Sequence, residues 1–197
     1  MSAAATDFQD FRPDDWDAVV RAWEELEVPP GYKAEIIEGI IALSPAPSRN
    51  HANIASRIHR QLLQVIPDGW DVYPGSVDLR VPLQAGMYQP DLAVLPRALV
   101  QDDAPELQAG DASLIVEVTS PSNARADRVK KLAGYAMSGV PLYLLVDNVH
   151  PVGRVINLFG DPQHDVYRTL WTGKFGDPIP LPAPFNCSLD TTGFPGS

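Results

Sequence analysis

The chain has 197 residues, 45% of them hydrophobic, which suits one globular domain with a substantial core and is too short for two independent ones. Its 25 acidic and 15 basic residues leave a formal net charge of −10, excluding a broadly basic nucleic-acid coat. The single cysteine, Cys187, excludes an intramolecular disulfide framework and any multi-cysteine zinc site.

The acidity is lopsided, since eight of the acids fall in the first 27 residues against only Arg12 and Arg21. No apolar run approaches the roughly 20 residues needed to cross a bilayer, and the N-terminus lacks a basic flank followed by an apolar stretch. A soluble, cytoplasmic protein without membrane contact is the expectation.

From Asp14, DDWDAVVRAWEEL predicts a helix, with acids at its start and Trp16, Val19, Val20, Trp23 and Leu26 at helical spacing. PPGY breaks it. The isoleucine-rich KAEIIEGIIALSP predicts a β-hairpin turning at Glu38-Gly39. Ser48 is the expected N-cap of a helix to about Ile66, which Pro67-Asp68-Gly69 stops. SVDLRVP alternates as a half-buried strand. YQPDLAVLP predicts a second strand and SLIVEVTS a third, apolar on both faces apart from Glu117 and therefore central in a sheet covered on both sides.

PSNARADRVKKLAGYAMSGV predicts a helix ended by Gly139, PLYLLVD a further buried strand, and GRVINLFG with HDVYRTLW a closing hairpin. Residues 97–111 are expected to form a long acidic loop. The pattern predicts an α/β fold with a mixed central sheet flanked by helices. Its expected organisation is a flexible tail over residues 1–13, one domain over 14–176, and an irregular Pro/Gly-rich tail over 177–197.

Three carboxylates stand where an apolar or turn residue is the simpler choice: Glu35 in the first hairpin, Asp91 in the second strand, Glu117 in the most hydrophobic one. A buried carboxylate without a partner costs several kcal/mol or neutralises by shifting its pKa. Arg97 is the only base between Val81 and Ala124, so local pairing does not account for both Asp91 and Glu117. A hard divalent ion, Mg²⁺ or Mn²⁺, answers the need, because Mg²⁺ is typically held by one or two carboxylates with waters and substrate phosphate.

The loop SPSN returns the following helix close to the C-terminal end of Glu117's strand. Lys131 can then reach back toward that strand, with Asp127 one turn before it as an i,i+4 partner. Two carboxylates, a divalent ion and an ammonium are the parts needed to cut a phosphodiester.

Pro90-Asp91 and Glu117-Val118-Thr119 resemble the metal-binding half-motifs of the PD-(D/E)XK nuclease superfamily. More closely, AEIIEGII, His51 at a helix start, YQPDLAVL, LIVEVTSPS, DRVKKLAGY and GVPLYLLVD resemble the Uma-type family of restriction endonucleases, from about Tyr32 to Trp171. The resemblance implies a restriction-endonuclease-like fold and a metal-dependent endonuclease acting on DNA. It matches Glu35, Asp91 and Glu117 to the family's acidic positions, with Asp91 and Glu117 as metal ligands and Glu35 assisting directly or through a water.

Thr119 departs from the superfamily pattern by standing at the lysine of E-x-K, so the resemblance assigns that role to Lys131, within a K-x-x-x-Y that ends at Tyr135. Lys130 lies about 100° around the helix from Lys131, so at most one of the two faces the site. His51 reads as a cap, a partner of the metal ligands or a phosphate contact, and Tyr135 as core packing.

A basic rim is expected if two helices border the carboxylates: Arg57 on one, Arg125, Arg128 and Lys130 on the other, as DNA contacts. Without a cation the acidic site repels phosphate, so DNA binding is expected to need metal. A homodimer is expected, as symmetric dimers are the commonest homo-oligomers and two-strand scission usually needs two sites. The alternative is a catalytically degenerate binding module on the same fold, which Thr119 and the acidic balance favour. No P-loop and no G-x-S-x-G elbow is present, which argues against nucleotide triphosphate and serine hydrolase chemistry.

Overall fold

The computed structural model describes residues 16–101 and 105–195; the expected tail over 1–13 and the first residues of the N-terminal helix lie outside them. Helix α1 (Trp16–Glu24) lays Trp16, Val19, Val20 and Trp23 against Ile36, Ile41 and Met87. The Trp23 indole donates to the Ala34 carbonyl at 3.0 Å. Strands β1 (Tyr32–Ile37) and β2 (Ile40–Pro45) form the expected hairpin. Its two turn residues, Glu38 (φ 53°) and Gly39 (φ 76°), both take the left-handed conformation that a tight two-residue hairpin requires.

Helix α2 (Arg49–Leu62) is capped as expected, with the Ser48 hydroxyl accepting from the His51 amide at 3.2 Å. It stops at Leu62, short of Ile66. Pro67 disfavours helical backbone at the residue before it, and the chain tightens into a turn closed by Val65 N–H donating to Leu62. Strand β3 (Trp70–Tyr73), which the periodicity did not reveal, is a four-residue edge strand pairing antiparallel with residues 93–96. Of SVDLRVP, only β4 (Leu79–Val81) joins a ladder.

The expected single strand over YQPDLAVLP is two strands in two different sheets. Strand β5 (Gly86–Tyr88) belongs with β1, β2 and β4, in the order β2-β1-β5-β4, whereas β6 (Leu92–Pro96) belongs to the six-stranded sheet β10-β9-β8-β7-β6-β3. Pro90 has no N–H to donate, so the ladder ends there and the chain changes sheets at Pro90-Asp91. The large sheet continues through β7 (Leu114–Val118), β8 (Leu142–Asp147), β9 (Val155–Gln163) and β10 (Val166–Lys174). Only β7 and β8 pair in parallel, as their helical crossover demands.

That crossover is wound as a π-helix over Ala126–Lys131 and continues as α3 (Leu132–Met137), with Gly139 (φ 74°) ending it as expected. β7 serves both faces of its sheet. Leu114, Val116 and Val118 join a core with α2, while Ile115 joins one built on Tyr88, Tyr135 and Tyr143. By the two-residue period of a strand, Glu117 shares the Ile115 side, facing the crossover helix.

The expected irregular tail is corrected. Strands β11 (Ile179–Leu181) and β12 (Cys187–Leu189) pair, and Ile179, Leu181, Phe185, Leu189 and Phe194 are buried in the α2-side core. Pro180 points outward between two buried neighbours, so a Pro-rich composition masked an alternating strand. The domain therefore runs past residue 176 to at least Phe194.

Candidate active site

Four elements deliver the site. Glu35 comes from β1, Asp91 from the sheet-changing turn, Glu117 from β7, and Asp127 and Lys131 from the π-helical segment. Such local widening of a helix is frequent at functional sites. Lys131 Nζ lies 2.7 Å from Glu35 Oε1, 2.9 Å from Glu117 Oε1 and 3.7 Å from Asp127 Oδ1. The Tyr135 hydroxyl donates to the same Glu117 Oε1 at 2.9 Å. Lys131, Glu117 and Asp127 are fully buried. Lys130 turns outward to Glu38 at 2.6 Å, so Lys131 is the lysine that faces the site.

Asp91 sits at the edge of this cluster. Its Oδ2 accepts from the Val118 amide at 2.7 Å, and its Oδ1 lies 2.9 Å from His51 Nε2. Glu35 is more heavily engaged: Oε1 accepts from the Gln89 amide at 2.8 Å as well as from Lys131, and Oε2 lies 3.4 Å from Lys33 Nζ. Asp91 and His51 line a cleft of about 230 Å³ together with Lys33, Gln89, Ser120 and Asn123.

Burial and charge set the protonation pattern. Burial drives the Glu117 carboxyl up, and Asp91 and Glu35 add to this against the opposing pull of Lys131. Burial, reinforced by Glu117, holds Asp127 well above the usual carboxylate range. For Glu35, burial pushes upward but Lys131, Lys33 and the Gln89 amide outweigh it, so the group lies below its ordinary value. Asp91 is likewise lowered, with burial overcome by His51, Lys33 and the Val118 amide. Burial alone would neutralise Lys131; Glu117, Glu35 and Asp127 overcome it and keep the ammonium. The cluster is therefore a Glu35–Lys131 ion pair flanked by Asp127, whose carboxyl burial pushes toward the neutral form, with Glu117 shared between amine and phenol.

Among the described residues no group of three or more His, Cys, Asp or Glu side chains is arranged to hold a metal ion, so Asp91, Glu117 and Glu35 do not form the expected three-carboxylate set. The physical reason is that both Glu35 oxygens are taken up by cations and an amide. Two carboxylates still fit a divalent cation. Glu117 Oε2 is buried with no hydrogen-bond partner, and Asp91 is close enough for its charge to raise the Glu117 pKa. Mg²⁺ needs no more than one or two carboxylates when water and phosphate complete its shell.

The expected basic rim is largely engaged elsewhere. Arg128 clasps Asp147 through Nε at 2.6 Å and Nη2 at 2.7 Å. Arg57 donates to Asn53 at 2.8 Å and lies against Gly193 in the C-terminal segment. Arg125 is exposed beside a separate groove with Ile37, Ile40 and Lys130.

Sequence reasoning missed the site roles of Lys33, Tyr135 and the Thr119–Asp147 pair. Thr119, at the position of the absent lysine, donates to Asp147 Oδ1 at 2.9 Å and so completes the Arg128 clasp. The i+2 spacing from Lys33 to Glu35 and the K-x-x-x-Y spacing were the available signals for the first two.

A mixed sheet, a parallel β7–helix–β8 unit and carboxylates converging on a buried amine define a restriction-endonuclease-like α/β protein. The chain belongs to the Uma2 family, described as "Putative restriction endonuclease", whose model matches residues 20–192. Among solved structures it is similar to a "putative nuclease belonging to DUF820" from Anabaena variabilis ATCC 29413. The match has TM-score 0.67 and 16% identity, covering 89% of this chain and 96% of that one. At that identity the likeness speaks for the fold. No curated protein matches the chain. No helix among the described residues is long and apolar enough to cross a membrane.

Proposed function

We propose that this member of a nuclease family hydrolyses DNA phosphodiester bonds with Mg²⁺ or Mn²⁺ held by Asp91 and Glu117, in the manner of PD-(D/E)XK enzymes. A divalent ion bound there supplies positive charge at the phosphorus centre and makes a water easier to deprotonate. Lys131 and Tyr135 fix Glu117 through Oε1, which leaves Oε2 available. The Val118 amide and His51 orient Asp91 from two sides at the mouth of the cleft. Glu35 keeps Lys131 charged, so its ammonium, sealed from the cleft, holds Glu117 in place and offsets the negative charge of the carboxylates around it.

The observation that carries this reading is the meeting of Glu117 and Lys131 at 2.9 Å from separate elements, beside an Asp91 held at the sheet-changing turn. The test is cleavage of a DNA duplex with Mn²⁺ by wild type and by folded Asp91→Ala and Glu117→Ala variants. Loss of cleavage in both is expected; unchanged cleavage in both overturns the assignment.

One observation favours the second reading, a non-catalytic binding module. Lys131 is sealed from solvent and tied to carboxylates, while Thr119 is engaged by Asp147. Calorimetry separates the two, because absence of divalent-cation binding at millimolar concentration supports the module and ends the enzymatic reading.

A further inference from the structure

The fixed positive charge that meets a phosphate in the cleft has to come from a residue that reaches the cleft wall. Lys131 does not: its side chain is 1% exposed and three carboxylates surround its ammonium. Arg128 is spent on Asp147, Lys130 on Glu38, and Arg57 packs on the C-terminal segment. Among the residues lining the cleft, Lys33 is the one lysine or arginine.

Lys33 lies two positions before Glu35 on β1, and the two-residue strand period puts both side chains on the same face. Its Nζ donates to the Gln89 carbonyl at 2.9 Å and lies 3.4 Å from Glu35 Oε2. An ammonium has three N–H donors, so one remains for a ligand, and the side chain is 23% exposed. It lines the cleft together with Asp91, and its charge opposes the burial-driven rise in pKa at Glu35, Asp91 and Glu117 alike.

We infer that Lys33 is the substrate-positioning residue of the cleft, donating its free N–H to a non-bridging oxygen of a phosphodiester seated between it and Asp91. This rests on the nuclease reading for the identity of the substrate, but capture of the phosphodiester anion is testable without cleavage. Asn123 in the same lining complements it as a neutral donor: its Oδ1 accepts from the Ser120 amide and hydroxyl, which leaves its own N–H groups for a ligand. The Gln89 carbonyl and Glu35 hold the amine at a fixed reach, which a plain solvated lysine lacks.

The experiment compares wild type, Lys33→Met and Lys33→Arg, each first checked for an unchanged far-UV spectrum and melting temperature. Dimethyl phosphate is titrated with Mg²⁺ present, and the Gln89 and Ser120 amides are followed by ¹H–¹⁵N correlation spectra. Saturable shifts in wild type and Lys33→Arg, weakened about tenfold in Lys33→Met, are expected for a charge-assisted hydrogen bond. In DNA cleavage, Lys33→Met raises KM with kcat changed far less, and the log–log salt slope of duplex binding shrinks by about 0.9, the value for one lost phosphate contact. Equal dimethyl phosphate binding by wild type and Lys33→Met overturns the inference, as does an unchanged KM and salt slope. A wild type that captures dimethyl phosphate through Lys33 but never cleaves DNA overturns the nuclease reading alone.

Discussion

Tyr135 and Lys131 converge on one oxygen of Glu117, both at 2.9 Å, and leave its second oxygen without a partner. A carboxylate in the interior of a β-sheet is tolerated because two donors from one helix face, four residues apart, share the cost of its burial. The same division leaves one oxygen committed to structure and one available for a cation.

Tyr135→Phe removes one donor while Lys131 remains. Loss of a hydrogen bond to a buried carboxylate is expected to cost about 1.5–3 kcal/mol of stability. Urea denaturation measures it, and a variant as stable as wild type would show that the phenol does not support Glu117.

Lys131→Met leaves Glu35 and Glu117 without their ammonium. Breaking a buried ion pair by deleting one partner typically costs about 3–5 kcal/mol, and Glu35→Gln in the same chain is expected to recover part of that loss. Equilibrium unfolding of the two variants tests this; a cost below about 1 kcal/mol for Lys131→Met would contradict the buried cluster.

Asp127 is fully buried, and neither of its carboxylate oxygens has a hydrogen-bond partner. Burial, with Glu117 adding to it, raises its folded pKa well above the unfolded value. The unfolded chain therefore releases this proton first as pH rises, and stability falls between the two values. Asp127→Asn removes that proton linkage. Relative to wild type the variant should gain stability from about pH 4 upward, read from unfolding midpoints at pH 4, 6 and 8. A gap that stays constant or reverses across that series refutes the assignment.

Asp147 has the opposite sign. Burial pushes its carboxyl up, but hydrogen bonds from Arg128 and Thr119 and the Arg128 charge hold it below the ordinary value. Its contribution is complete above the unfolded pKa, about 3.9, and is lost as pH falls through the folded one. Arg128→Met should destabilise by about 2 kcal/mol at pH 7, reduced from the fully buried case because Arg128 is 29% exposed. The deficit should shrink at acid pH, where Asp147 is protonated. Acid titration of unfolding by circular dichroism distinguishes this from a pH-independent packing loss.

Much of the architecture was legible because it depends on local periodicity. The Glu38-Gly39 turn, the Ser48 cap, the Ile54–Ile58–Leu62 stripe and the apolar runs of β7 and β8 each bury a face that their own spacing announces. β11 and β12 were not legible, because prolines hide an alternation only two or three residues long. The break between β5 and β6 was missed for a related reason: Pro90 interrupts a pattern whose two halves read alike but belong to different sheets.

The chain's own residues determined which carboxylates stand out, Glu35, Asp91 and Glu117, since a lone acid in an apolar strand is anomalous wherever the strand ends up. Which cation each one meets was decided by tertiary structure alone. Glu35 and Lys131 are 96 positions apart and Lys33 and Gln89 are 56, and no periodicity spans such distances. Sheet register and the widened helix turn inward Lys131 rather than Lys130, give Arg128 to Asp147, and leave Lys33 at the cleft, because side-chain partners follow from the faces the backbone presents.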